Sequence, residues 1–314
     1  MIKMNYSVVI RTLGRAGELY QRTLDSLMQQ NIQPDAIVVY IAEGYSLPDE
    51  TIGLEQYVYV KKGMVAQRAL RYDEVASEYI LFLDDDVYLP PTAVETLYNE
   101  LKEYSGDVIS PCVFYNHNAS LKSKIIRTIT GKEVCRMCDD NWAYKVLRNG
   151  GFSYNGNPRK SVYQSQTNAG PCFFCKKEDF LRIHFEEELW LDDAPYALPE
   201  DQVMYYKMYL SGLKILTSFD SGIVHLDAGS ATANTDDRIA RLIYSEYRNK
   251  LIFWYRFIFS PEKSVLKRIW AVVCLSYACG IQAIKYVIML LLGNKKSSKA
   301  FFRGIKDAVK FISK

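Results

Sequence analysis

Short apolar runs alternate with helical patterns over the first 115 residues. Tyr6–Arg11 is a β-branched run that predicts a strand, and Leu19–Gln30 places Tyr20, Leu24, Leu27 and Met28 on one side of a helix. Ala36–Ala42 and Tyr57–Val60 read as strands, Met64–Ala76 as a helix, and Tyr79–Leu83 as a short apolar strand. Pro91–Tyr104 restarts a helix with proline near its first turn, and Asp107–Tyr115 reads as another strand. Strands alternating with helices at this spacing predict a mostly parallel α/β sheet.

Residues 116–167 break the alternation: they are polar, aromatic and rich in Gly and Asn, with turns at Asn149-Gly150-Gly151 and Asn155-Gly156-Asn157-Pro158. Beyond them, Ala169–Cys175, Leu213–Phe219 and Gly222–Leu226 read as strands, and Glu200–Leu210 as a helix ended by Gly212. Asp227–Asp237, full of Ser, Thr, Gly and Asn, reads as a loop, and everything after it as helical.

Composition narrows the class. A chain of 314 residues with 49% hydrophobic and 24% charged positions can bury a large core, which excludes disordered and collagen-like classes. Seven cysteines, an odd number, do not form a disulfide framework, and Met1–Asn5 runs straight into a strand with no apolar leader. A reducing cytoplasm is the expected compartment. The net charge of +3 hides an asymmetry. Residues 241–314 carry 15 Lys/Arg against 3 Asp/Glu, whereas residues 1–240 carry 24 against 33. An acidic body with a basic, apolar tail predicts an anionic partner for the tail.

The sharpest chemical feature is Asp84-Asp85-Asp86, directly after the apolar strand. Three adjacent carboxylates repel one another and need a positive neighbour. Mg²⁺ and Mn²⁺ prefer oxygen ligands and share them with phosphates, and ligands of open α/β sheets bind at the carboxyl ends of strands. A solvated acidic turn is the competing reading. Pro199-Glu200-Asp201 opens a helix, where acids also suit the helix dipole. His225, one of three histidines, ends Ser221–His225, as a ligand or as a structural hydrogen bonder.

These residues together resemble the family-2 glycosyltransferases over roughly residues 5–226. The resemblance implies a GT-A, Rossmann-like α/β fold: a mostly parallel sheet with flanking helices, followed here by a C-terminal helical membrane-associating region. It divides the chain into a transferase domain over 1–236, with a nucleotide-sugar half (1–115) and an acceptor half (116–236), and a C-terminal region over 237–314. Thr12, after Val8-Val9-Ile10-Arg11, matches the residue that reaches the nucleobase. The second strand offers only Glu43 where the family has two acids. Gln67-Arg68-Ala69 keeps the arginine of the family's Ala-Arg-Asn stretch but not the asparagine. Asp84 and Asp86 match the Asp-x-Asp motif, which implies Asp86 as metal ligand and Asp84 or Asp85 as holder of the ribose or of a metal-bound water. Asp201 matches the general base, with Glu200 beside it, and His225 matches a residue that approaches the metal or diphosphate.

The implied activity is inverting, metal-dependent transfer from a nucleoside-diphosphate sugar to a hydroxyl of a glycan or lipid-linked acceptor, with Mn²⁺ or Mg²⁺. Two alternatives stand beside it: a membrane-associated scaffold with an inactive transferase fold, and a processive polysaccharide synthase. The synthase is disfavoured because no Gln-x-x-Arg-Trp follows the Glu-Asp pair.

Two Cys-x-x-Cys pairs, Cys135/Cys138 and Cys172/Cys175, invite a zinc reading. Their 33-residue separation, and a strand setting that turns residues three apart to opposite faces, favour packing instead. Trp190 is placed near the acceptor loop. Ile269–Leu292 is apolar but interrupted by Gln282 and Lys285, so a buried helix, a hairpin and an interfacial segment all remain open. Phe301, Phe302, Ile305, Ala308, Val309 and Ile312 share one face of a helix whose other side is basic. That pattern suits an anionic membrane surface for residues 269–314, peripheral or monotopic on its inner face. Packing against the rest of the chain is the alternative. Nucleic acid is not expected, since no recognition motif is present.

Overall fold

In the computed structural model the first strand, β1 (Tyr6–Thr12), is buried along its length except at Arg11. The structure describes residues 4–113, 120–131, 133–137, 139–226 and 235–313. In chain order β1 is followed by α1 (Glu18–Met28), β2 (Ala36–Ala42), β3 (Glu55–Val60), β4 (Tyr79–Asp84), β5 (Val87–Tyr88), α2 (Ala93–Glu103) and β6 (Val108–Pro111). Next come α3 (Leu121–Ile129), β7 (Glu133–Arg136), β8 (Trp142–Val146), β9 (Phe152–Asn155), β10 (Val162–Ser165), β11 (Cys172–Lys176) and α4 (Lys177–Leu181). A 3₁₀ segment at Phe185–Asp193 leads to α5 (Glu200–Leu210), β12 (Ile215–Ser218) and β13 (Val224–His225). The chain closes with α6 (Asp236–Phe253), a π-helical segment Trp254–Phe259, α7 (Val265–Leu291) and α8 (Lys295–Ile312).

These elements form two compact units, one of residues 1–117, 159–189 and 204–231, the other of residues 118–158, 190–203 and 232–314. In the first, the strands lie in the order β3-β2-β1-β4-β11-β6-β12-β10. The pairs β3/β2, β2/β1, β1/β4 and β6/β12 are parallel. β11 runs antiparallel between β4 and β6, and β10 pairs antiparallel with β12. The expected mostly parallel α/β sheet with flanking helices is therefore the architecture observed. One face packs Tyr6, Val8 and Ile10 against Leu24 and Leu27 of α1 and Leu97 of α2. The other carries an aromatic cluster in which Phe82 stacks on Phe173 at 4.2 Å and Tyr72 meets Phe82 edge-on at 5.3 Å.

Three local expectations give way. No helix forms over 64–76, where the chain runs as consecutive turns. Tyr72 adopts a left-handed φ of 53°, its carbonyl accepts from Val75 N at 3.0 Å in a tight turn, and the carbonyls of Tyr72 and Val75 also accept from Lys177 Nζ at 2.7 and 2.8 Å. Residues 116–167, without clear periodicity, contain α3 and β7–β10. β6 stops at Pro111; residues 114–119 and most of the expected loop, 227–234, lie outside the described residues.

In the second unit β9 pairs antiparallel with β8 and parallel with β7. Side-chain caps start four of its helices: Ser120 for α3, Thr235 for α6, Ser264 for α7 and Asn294 for α8, each accepting from a backbone N–H three residues on. Tyr247, Tyr286 and Phe301 bring α6, α7 and α8 into one aromatic core, with Phe301 stacked on Tyr286 at 4.5 Å. Gly304 permits the close α6–α8 crossing, because a Cβ there would lie 2.8 Å from the Tyr244 carbonyl oxygen. The amphipathic tail helix thus buries Phe301 and Ala308 within its own unit, while Phe302 and Val309 on the same face stay exposed.

Candidate active site

The parallel register sets Arg11 of β1 beside Asp84 of β4, at the carboxyl ends of two central strands. Arg11 is the one charged residue of an otherwise apolar or hydroxyl-bearing strand. Its Nε donates to Asp84 Oδ1 at 2.6 Å and its Nη2 to Oδ2 at 3.2 Å, a two-pronged pair. The buried Arg68 guanidinium lies 3.6 Å from the same carboxylate. Burial alone would raise the Asp84 pKa, but the adjacent Arg11 and Arg68 charges hold it below the ordinary carboxylate value. Asp84, one of the two acids that the resemblance offers for the ribose or a metal-bound water, is therefore already engaged with two cations.

Arg68 is itself fixed, donating to the Gly170 carbonyl at 2.9 Å, with its own carbonyl accepting from Tyr72 Oη at 2.5 Å. Gln67, beside it, donates to the Thr12 carbonyl at 3.0 Å and ties this turn to the end of β1.

Asp85 behaves differently. Thr12 Oγ1 donates to its Oδ2 at 2.5 Å, and the same hydroxyl accepts from Gly14 N at 2.8 Å. Burial first, then the neighbouring Asp84 and Asp86 charges, push the Asp85 pKa up to about 6 despite the Thr12 bond. An acid whose folded-state pKa stands above its unfolded one favours the folded protein only while protonated. The contribution is full below about pH 4 and is lost as pH rises through about 6. In metal-free protein, Asp85→Asn should raise the thermal midpoint at pH 7.5 and leave it unchanged at pH 4; an equal shift at both values would contradict this assignment.

Asp86 is brought to His225 by a two-stranded ribbon in which β5 and β13 pair antiparallel, His225 opposite Val87. The Asp86 Oδ1 and His225 Nε2 atoms are 3.0 Å apart, and the Asp86 carbonyl accepts from Leu226 N at 2.8 Å. Among the described residues no group of three or more His, Cys, Asp and Glu side chains is placed to hold a metal. One carboxylate and one imidazole do suit a cation that keeps waters and takes further oxygens from substrate phosphates, and so fit Mg²⁺ or Mn²⁺. The zinc reading has no such support: Cys172 and Cys175 are fully buried in β11, burial raises both thiol pKa values, and Cys138 lies outside the described residues.

Glu43 follows β2, with its side chain exposed and its N–H donating to the Val60 carbonyl at 2.8 Å. The neighbouring strand-end loops meet closely, since a Cβ on Gly14 (φ 66°) would fall 2.3 Å from the Ser46 carbonyl oxygen. Tyr45, in that second loop, has the Arg15 guanidinium 4.6 Å from its ring centre and accepts from Lys62 Nζ at 2.8 Å.

The first unit thus brings together Thr12, Arg68, Asp84, Asp85, Asp86 and His225, and holds Glu43. Glu200, Asp201 and Trp190 belong to the second unit. Glu200 is buried and Asp201 partly exposed in the first turn of α5, which Gln202 anchors by donating to the Gly150 carbonyl at 3.0 Å. Trp190 is 8% exposed, its ring 6.0 Å from Phe311 and its carbonyl accepting from Arg248. Arg11 and Gln67 stand in the stretches that precede Thr12 and Arg68 in sequence, but only the structure gives them a role at the site. A lone arginine at the end of a buried strand is the sequence signal for the first.

A mostly parallel sheet thus carries Arg11 and Asp84 at its strand ends, with Asp85 and Asp86 following, while a turn brings Arg68 and a separate ribbon brings His225 beside them. The family described as glycosyl transferase family 2 matches residues 7–180, more than half of the chain, and the protein belongs to that family. No curated protein matches the sequence. Among solved structures, the chain is similar to GalNAc-T7 crystallised with UDP, GalNAc and Mn²⁺, at 13% identity and a TM-score of 0.49. The similarity covers 87% of this chain, which spans 54% of that one.

Proposed function

We propose that the protein transfers a sugar, with inversion, from a nucleoside-diphosphate sugar to a hydroxyl of a glycan or lipid-linked acceptor, in surface polysaccharide or glycoconjugate synthesis. The observation that carries the proposal is the meeting of Asp86 with His225, beside the Thr12–Asp85 and Arg11–Asp84–Arg68 contacts. Asp86 and His225 would hold Mn²⁺ or Mg²⁺, which neutralises charge on the diphosphate when bound. Thr12, Asp85 and Glu43 face the nucleoside. Asp84 orients Arg11 and Arg68, fixed cations that share the diphosphate charge.

Asp201 acts as general base. The acceptor oxygen attacks the anomeric carbon from the face opposite the diphosphate, its proton passes to the Asp201 carboxylate, and the anomeric carbon–oxygen bond to the diphosphate breaks. Glu200 lies next to the acceptor. Hexosyl and deoxyhexosyl donors both suit this scheme.

A thermal-shift screen of nucleotide sugars tests it. A true donor at a hundredfold its Kd should stabilise the fold by about 2.7 kcal/mol when Mn²⁺ is present. A screen in which no nucleotide or nucleotide sugar shifts the midpoint, with or without Mn²⁺, would count against the proposal.

A further inference from the structure

α7 is, among the described residues, the one helix long and apolar enough to cross a membrane, yet its two sides differ. A stripe through Ala271, Ala278, Gln282 and Tyr286 is buried in its own unit. Gln282 Oε1 there accepts from Tyr247 Oη at 2.8 Å, and the Tyr286 carbonyl accepts from Ser298 Oγ at 2.7 Å. The opposite arc, including Leu266, Ile269, Trp270, Val273, Ile284 and Ile288, is exposed, each side chain by 49–79%. From Leu266 to Ile288 it runs about 33 Å at 1.5 Å per residue. α3 extends this surface: Ile125, Ile126 and Ile129 share one face and are 50–53% exposed. Tyr277, itself 55% exposed on α7, donates to the Ile129 carbonyl at 3.0 Å, which places the end of α3 against the arc.

We infer that α3 and α7 together form a seat for an anionic bilayer, with α7 lying in the membrane plane rather than across it. A spanning α7 would carry its packed partners, the hydrogen-bonded Gln282 and the capped start of α8 with it into the hydrocarbon, where unsatisfied polar groups are costly. An in-plane helix keeps that stripe on protein and gives its apolar arc to the acyl boundary. Charge selects the occupant: neither α3 nor α7 contains an acid, while Lys122, Lys124 and Arg127 on α3 and Lys267, Arg268 and Lys285 on α7 are basic. Cations beside an exposed apolar strip, with Trp270 and Tyr277 on it, match negatively charged headgroups. The inference does not depend on the transfer chemistry.

Flotation of the full chain with vesicles of phosphatidylcholine, with or without 30% phosphatidylglycerol (roughly a plasma-membrane-like anionic surface), tests it. Binding should require the anionic lipid and weaken as salt rises. Ile125→Glu/Ile129→Glu and Val273→Glu/Ile288→Glu should each lower binding at least about tenfold, with circular dichroism unchanged. Lys122→Gln/Lys124→Gln should lower it about tenfold for anionic vesicles only. Shallow brominated lipids should quench the fluorescence that Trp270→Phe removes, and deep ones should not. Vesicle binding unaffected by the α3 pair overturns the two-helix seat, and strong quenching by deep bromines overturns the in-plane placement. A lipid-free dimer abolished by the same pairs would assign the surface to a second copy of the chain instead.

Discussion

Asp86→Ala is expected to reduce transfer by at least about a hundredfold, as loss of a group that stabilises charge in the transition state commonly does. Asp86 supplies the carboxylate of the Asp86–His225 pair, and the two adjacent carboxylates are already engaged, Asp84 by two arginines and Asp85 by Thr12. The substitution leaves the ribbon intact, because the backbone carbonyl of residue 86 still accepts from Leu226. Near-native thermal stability with lost turnover is therefore the expected outcome, and donor affinity measured with Mn²⁺ should fall as well. Normal turnover by the folded variant would remove Asp86 from the metal site.

Asp201→Asn should lower kcat by about 10²–10⁴-fold while donor affinity stays near that of the unsubstituted protein, the range typical of a lost general base. Asparagine keeps the shape of the side chain in the first turn of α5, where the weakened helix-dipole term costs about 0.3–1 kcal/mol. Calorimetry with the donor and steady-state kinetics at saturating donor separate the two effects. A fall in donor affinity that accounts for the whole loss would make Asp201 a binding residue.

The sheet was readable from sequence because its strands are β-branched runs bounded by helices: β1, β2 and β4 lie where the hydrophobic pattern puts them, and α5 begins and ends at the residues expected. The region around Arg68 reads as helix because its apolar spacing fits 3.6 residues per turn, while its backbone is shaped by the Lys177 contacts and the left-handed Tyr72. Residues 120–165 were unreadable for the opposite reason. Their short strands and α3 are built on turns and cross-strand pairs, and the exposed Ile125, Ile126 and Ile129 have no periodic partner nearby to announce a shared surface. Within the site, the carboxylates and His225 were legible as residue types at strand ends. The Arg11–Asp84 pair was not, since it depends on the parallel register of two strands 73 residues apart in sequence.

The most direct test of the account is release of nucleoside diphosphate from a panel of nucleotide sugars, measured with Mn²⁺, after chelation, and after Mn²⁺ is restored. The account predicts release from at least one donor, its loss on chelation, its recovery with metal and its absence in Asp86→Ala. Release that persists through chelation and survives Asp86→Ala would contradict it.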